Sequence, residues 1–186
     1  AGGPGFYRVE YSAELMSRIT GDTLATLTTL ERYNLVDDAW NAVVSNAMTA
    51  DRFINFARGF TDEKELAVWQ AMSLALKGLG RLLARDEMAP FNSFVTELVS
   101  PAYARLGDTP QPDEDDLVSK LRGLLLSTLA ILGNQSTAQQ RCRDILFNNA
   151  STDPELVAAS TTVVASTGTA ADYDWFLNNF HNATTP

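Results

Sequence analysis

From Ser12 onward the chain carries apolar residues at helical spacing, broken at short intervals by capping signals and never by a βαβ rhythm. This pattern constrains the fold more than any other feature. Ser12 can cap a short helix that Gly21 stops near Thr20. Thr28 followed by Glu31 forms a capping box, behind which Tyr33, Val36, Trp40, Val43 and Val44 recur at helical spacing. Thr49 caps a helix bearing Phe53, Ile54, Ala57 and Phe60. Thr61 or Asp62 opens a long one with a stripe from Leu66 through Trp69, Met72, Leu76 and Leu79 to Leu83, in which Gly78 and Gly80 either weaken the middle or permit close helix contact.

Farther on, Pro90 marks another helix start, and Pro101 should kink or split that helix. Gly107–Pro112 reads as a loop, and Leu117, Leu121, Leu124, Leu125 and Leu132 line the helix after it. Ser136 with Gln139 reads as a second capping box, Asp153-Pro154-Glu155 as a cap with a first-turn proline, and Thr169 with Asp172 as the start of the last helix. The sum is about nine helices of roughly 10–22 residues joined by short loops. The fold class is all-α. Consecutive amphipathic helices with short connections become antiparallel neighbours, and pairs recurring at about 35–45 residues fit a HEAT- or armadillo-like stack, an α-α superhelix, better than a four-helix bundle.

The opening departs from this pattern. Gly2, Gly3, Pro4 and Gly5 mark a loop, and Phe6–Tyr11 reads as a single strand with faces Tyr7/Val9/Tyr11 and Phe6/Arg8/Glu10. A lone strand has nothing to pair with, so a neighbouring sheet outside this sequence, or another copy, is implied. The expected division is residues 1–11 as the end of a preceding domain and 12–186 as a helical domain that is itself incomplete.

The formal charge of −9, from 23 acidic and 14 basic residues, argues against a nucleic-acid surface and against anionic membranes. A cationic peptide amine would not be repelled, although solubility alone accounts for such a balance. No apolar run approaches the ~18 residues needed to span a bilayer. Cys142 is the only cysteine, so no intrachain disulfide can form and a reducing, cytoplasmic compartment is expected. It lies between Arg141 and Arg143 but shares an apolar stripe with Ala138, Ile145 and Leu146, which makes it an inert core thiol. The Asn-X-Ser/Thr sequons at Asn134, Asn149 and Asn182 are explained by chance in a chain this rich in Asn, Ser and Thr.

Catalytic patterns are missing from the sequence. His181 is the sole histidine, so neither a His-Glu-x-x-His zinc site nor a nucleophile–histidine triad can be built. No phosphate-binding loop is present, and the glycine-rich opening lacks a dinucleotide fingerprint's context. Catalytic, cofactor-binding and metal-binding residues are therefore all expected to be none in this chain. The run Asp113-Glu114-Asp115-Asp116 reads as a helix start whose carboxylates complement the macrodipole. Two charged clusters remain, one around Arg32, Asp37 and Asp38, the other around Arg122 before a nearly all-apolar segment. A buried Arg–Asp pair between stacked helices, Arg122 with Asp37 or Asp38, would satisfy both as a structural polar clamp, and substrate contact is the other reading.

Gly2-Gly3-Pro4-Gly5-Phe6-Tyr7-Arg8-Val9-Glu10-Tyr11, Glu31-Arg32-Tyr33-Asn34-Leu35-Val36-Asp37-Asp38-Ala39-Trp40 and Leu121-Arg122-Gly123-Leu124-Leu125 occur in order. Together they resemble the aminopeptidase N family of zinc metallopeptidases, particularly actinobacterial-type members, over essentially the whole chain. The first two segments are fairly specific, whereas the third suits any leucine-rich helix. The resemblance implies that the opening strand leaves a small β-sandwich and enters a HEAT-like C-terminal helical domain that continues past residue 186. It implies that zinc, its ligands and the catalytic tyrosine lie upstream, and that no catalytic residue transfers to this chain. The implied partners are the catalytic and β-sandwich domains of the same chain and, in the parent enzyme, a peptide substrate. The implied role is to cap the active site and enclose a substrate chamber. A stand-alone helical-repeat scaffold for a partner protein is the alternative, and a small-ligand-binding bundle a further one.

Overall fold

In the computed structural model, which describes residues 8–19 and 22–183, ten α-helices follow one another and no strand occurs among the described residues. They are α1 Ala13–Arg18, α2 Asp22–Thr26, α3 Thr29–Val44, α4 Ala50–Ala57 and α5 Leu66–Gly80, then α6 Met88–Leu106, α7 Asp116–Ile131, α8 Ser136–Asn148, α9 Pro154–Thr167 and α10 Ala170–His181. Single 3-10 turns at Arg58–Phe60 and Arg85–Glu87 precede the α4–α5 loop and α6. Of the expected opening strand, Phe6 and Tyr7 lie outside the described residues, and Arg8–Tyr11 has no regular structure. With no described strand beside it, an extended segment cannot form a ladder. It lies instead against α3, where the Arg8 guanidinium donates to Asp37 and the Tyr11 hydroxyl sits 3.5 Å from an Asp38 oxygen.

Most helix starts follow the local signals. The side chains of Ser12, Thr28, Thr49 and Asp153 each accept a backbone N–H from the first turn they precede, and Glu31 closes the Thr28 capping box. Asp172 likewise accepts from the Thr169 amide and hydroxyl. Three expectations need correction. The long helix starts at Leu66, not at Thr61 or Asp62, because the Glu63 carboxylate turns back onto the amides of Lys64 and Glu65. Ser136 is the first residue of α8 rather than its cap, because Gln139 reaches away to the Ala130 carbonyl and the Asn134 side chain. α6 is not split at Pro101 but continues to Leu106, and the short α2, which has no apolar periodicity, was not expected.

α3 packs on α5, α5 on α7 and α7 on α9, so alternate helices form a row. α6 lies against α7, and α8 against both α7 and α9. One apolar cluster runs through the row, from Val36 and Ala39 through Trp69 and Leu76 to Leu125, Leu129, Leu156 and Val163, all at most 2% exposed. Burying each such large side chain contributes about 1.5–3 kcal/mol. Two glycines let the row close. A Cβ on Gly78 would lie 2.2 Å from the Trp40 indole, and one on Gly123 would lie 2.9 Å from the Glu155 carbonyl oxygen. Close contact is therefore the role of Gly78. Cys142 is fully buried, and burial pushes its thiol up to about 11, as suits an inert core cysteine. α10 packs lightly on α9 and leaves Tyr173, Leu177 and Phe180 exposed.

Candidate functional site

The face of the α5–α7–α9 row carries the feature closest to a binding surface. Helical spacing places Leu66 and Gln70 on one side of α5, Lys120, Leu124 and Ser127 on one side of α7, and Ala158 and Thr162 on one side of α9. Because α7 and α9 approach closely at Gly123, these sides meet in a groove of about 330 Å³. Its floor is small or apolar, with Gly123, Leu124 and Ala159, and its rim is polar, with Gln70, Lys120 and Glu155. Exposed Leu74 and Lys77 continue the α5 side beyond it. Such a surface can hold an extended chain by apolar contact with a few polar fixings.

The four residues of the expected polar clamp do not meet. Arg122 is completely buried, yet its partner is Glu114, eight residues earlier in the α6–α7 loop. The two guanidinium nitrogens donate to the two Glu114 oxygens at 2.5 and 2.6 Å, and Nε donates to the Gly107 carbonyl at 2.9 Å. The Arg122 hydrogen bonds hold the Glu114 carboxyl below the usual carboxylate range. Arg32 pairs with Glu63, Nε to Oε2 at 2.6 Å and Nη2 to Oε1 at 3.1 Å. Burial alone would raise the Glu63 pKa; Arg32 and the two backbone amides outweigh it, and the net direction is down. Asp37 and Asp38 hold the entering segment through Arg8 and Tyr11, and Asp37 also accepts from Asn41.

Sequence reasoning singled out Arg122 because it stands just before a nearly all-apolar segment, but nothing in periodicity names its acid. It missed a third pair, Arg143 with Asp172 at 2.8 and 2.9 Å, which joins α8 to the start of α10. The only available signal was the double use of Asp172 as a capping residue. Of the acidic run, Asp115 does cap α7, accepting from the Leu117 amide at 2.7 Å, whereas Glu114 belongs to Arg122. His181 is exposed at the end of α10, stacked edge-on to Phe180. Among the described residues no three His, Cys, Asp or Glu side chains gather into a metal-holding group, and no helix is long and apolar enough to cross a membrane.

Residues 1–186 match the family model described as ERAP1-like C-terminal domain. The puromycin-sensitive aminopeptidase of Caenorhabditis elegans is 28% identical over 188 residues, covering 96% of this chain and 20% of that protein. Aminopeptidase N of Plutella xylostella is 26% identical over 180 residues, covering 92% of this chain and 19% of that protein. Tricorn protease-interacting factor F2 of Thermoplasma acidophilum is 25% identical over 161 residues, covering 87% of this chain and 20% of that protein. The chain thus spans about a fifth of the length of these relatives. With the family model matched from end to end, the chain belongs to the ERAP1-like C-terminal domain family, the helical C-terminal part of aminopeptidase N-type proteins.

Proposed function

We propose that this chain is the non-catalytic helical wall of a zinc aminopeptidase that removes N-terminal residues from peptides. In this reading residues 1–11 lead out of a β-sandwich, residues 12–186 cap the active site, and the α5–α7–α9 face lines the substrate chamber. The row of alternate helices is the start of a HEAT-like superhelix, whose repeats contact only their neighbours. The zinc and its ligands belong to the parent protein's catalytic domain, and the setting is a reducing, cytoplasmic one that suits a lone thiol. The observation that carries the reading is the groove at Gly123, a face with a small apolar floor and a polar rim, on a chain from an aminopeptidase domain family.

Two measurements test it. The purified chain, supplied with zinc, should not hydrolyse an aminoacyl-arylamide; turnover would refute a non-catalytic role. In the longer protein, Ala158→Trp and Thr162→Trp fill the groove from exposed positions. They should lower kcat/KM for long peptides and leave aminoacyl-arylamide hydrolysis unchanged. Equal effects on both substrates, or none on either, would rule out a chamber-wall role for this face.

A further inference from the structure

Arg32, Arg122 and Arg143 each hold a bidentate carboxylate. Arg141, half-buried on α8, does not. No carboxylate lies within ion-pair distance of it among the described residues, and its guanidinium makes one long hydrogen bond, from Nη2 to the Asp108 carbonyl oxygen at 3.4 Å. Its Nε is shut off from solvent and has no partner among the described residues. A ligand cannot reach an Nε that solvent does not, so what Arg141 offers is the terminal end of its guanidinium, which meets no carboxylate among the described residues.

Arg141 opens into a polar pocket of about 400 Å³ between the α6–α7 loop and the α8–α9 loop, lined also by Asp108, Thr109, Ser151, Thr152 and Asp153. None of these residues lines the groove on the α5–α7–α9 face. The two acids differ in what they have left to offer. Both Asp153 oxygens are engaged, one by the Leu156 amide at 2.8 Å and the other by the Ser119 hydroxyl at 2.6 Å. Asp108 has one oxygen engaged, by the Tyr103 hydroxyl at 2.7 Å, and the second has no hydrogen-bond donor among the described residues. The lining therefore brings together a guanidinium that meets no carboxylate among the described residues and a half-free carboxylate, along with the hydroxyls of Thr109, Ser151 and Thr152. A plain anion would meet Asp108 unfavourably, and a plain cation would meet Arg141. A molecule carrying both charges close together satisfies the two at once.

We propose that this pocket binds a free α-amino acid as its zwitterion, with the carboxylate on the Arg141 guanidinium and the ammonium on the open oxygen of Asp108. The fork of an arginine matches a carboxylate in a bidentate way that a lysine cannot reproduce. The hydroxyls of Thr109, Ser151 and Thr152 serve the remaining lone pairs, and the pocket's volume leaves space for the amino acid's own side chain. This inference stands on the pocket alone and does not depend on the peptidase reading.

Isothermal titration of the 186-residue chain with L-leucine, acetate, methylamine and inorganic phosphate tests it. L-leucine should bind with a Kd of about 1 mM or tighter. Acetate and methylamine, each carrying half of the recognition, should bind at least about tenfold more weakly, as should phosphate. Arg141→Gln and Asp108→Asn should each weaken L-leucine by about tenfold or more, with the circular dichroism spectrum and Tm retained. Arg141→Lys, which keeps the charge and loses the fork, should fall between them and the unaltered chain and guards against a folding artefact. Absence of L-leucine binding in the unaltered chain overturns the proposal. So does acetate or phosphate binding as tightly as L-leucine, which would mark a simple anion site, or L-leucine binding unaffected by either substitution.

Discussion

Replacing Glu114 should damage this domain more than replacing Arg122, although Arg122 is the larger and deeper side chain. Arg122 is fully enclosed, and Glu114 retains 11% of its side-chain exposure. In Glu114→Ala the guanidinium stays charged and keeps only the Gly107 and Leu106 carbonyls, at 2.9 and 3.3 Å. Asp153 cannot take over, because both of its oxygens are engaged. An uncompensated buried charge costs about 3–5 kcal/mol. In Arg122→Met the thioether fills much of the space, the freed Glu114 turns to water, and the main loss is the hydrogen bond to the Gly107 carbonyl. That loss is about 1–3 kcal/mol. The double variant should cost little more than Arg122→Met alone, so the two single costs are non-additive by about 2 kcal/mol or more. For a chain of this size 1 kcal/mol moves Tm by about 2–4 °C, so Glu114→Ala lowers it by roughly 6–12 °C even at the smaller penalty. Urea unfolding with a constant m-value gives all three free energies. Equal costs for the two single variants, or strict additivity in the double, would refute the buried-pair reasoning.

Gly123→Ala should lower stability by about 1–3 kcal/mol, because the new methyl meets backbone rather than a movable side chain, 2.9 Å from the Glu155 carbonyl oxygen; an unchanged urea midpoint would show that α7 and α9 can separate freely. Acid should weaken the fold from a definable pH downward. Glu63, Glu114, Asp153 and Asp172 all have folded-state pKa values below their ordinary ones, and Glu31, held mainly by the Thr28 amide, lies at about 2. Groups of this kind contribute fully above their unfolded pKa, near 4, and lose that contribution as pH falls through the folded value. The urea midpoint should therefore be level above about pH 5 and fall between about pH 4 and 2, less steeply in Glu63→Gln; a midpoint independent of pH across that range would contradict the assignment.

Helix identity was legible because its signals are local. Thr28 and Glu31 lie three residues apart, and each satisfies an amide of the turn the other belongs to, so sequence alone dictates the start of α3. The misplaced starts of α5 and α8 each involve a side chain with a competing use outside its own first turn. Glu63 would sit in the first turn of a helix begun at Thr61, but its carboxylate accepts from Arg32, thirty-one residues away, and the helix starts later. Gln139 would complete a box with Ser136, but it bridges to the Ala130 carbonyl of the preceding helix. The groove was illegible for a related reason. Gly123 carries no signal of its own inside a leucine-rich helix, and its role shows only when Glu155, on another helix, is seen against it.

The three arginine pairs share a placement that explains why they accompany an apolar core already able to hold the helices together. Each joins a helix to a loop or cap: α3 to the α4–α5 loop through Glu63, α7 to the α6–α7 loop through Glu114, and α8 to the α10 cap through Asp172. Apolar burial is non-directional and tolerates sliding of one helix along another. Two parallel hydrogen bonds on a planar fork do not. In a stack whose members touch only near neighbours, register errors accumulate along the row unless each junction is fixed. Bidentate arginines at the loops supply that direction, and the register of α5, α7 and α9 is what makes Gly123 face Glu155 and gives the groove its floor. Weakening Glu63 or Glu114 should therefore disturb the groove as well as the stability of the fold, although neither residue lines it.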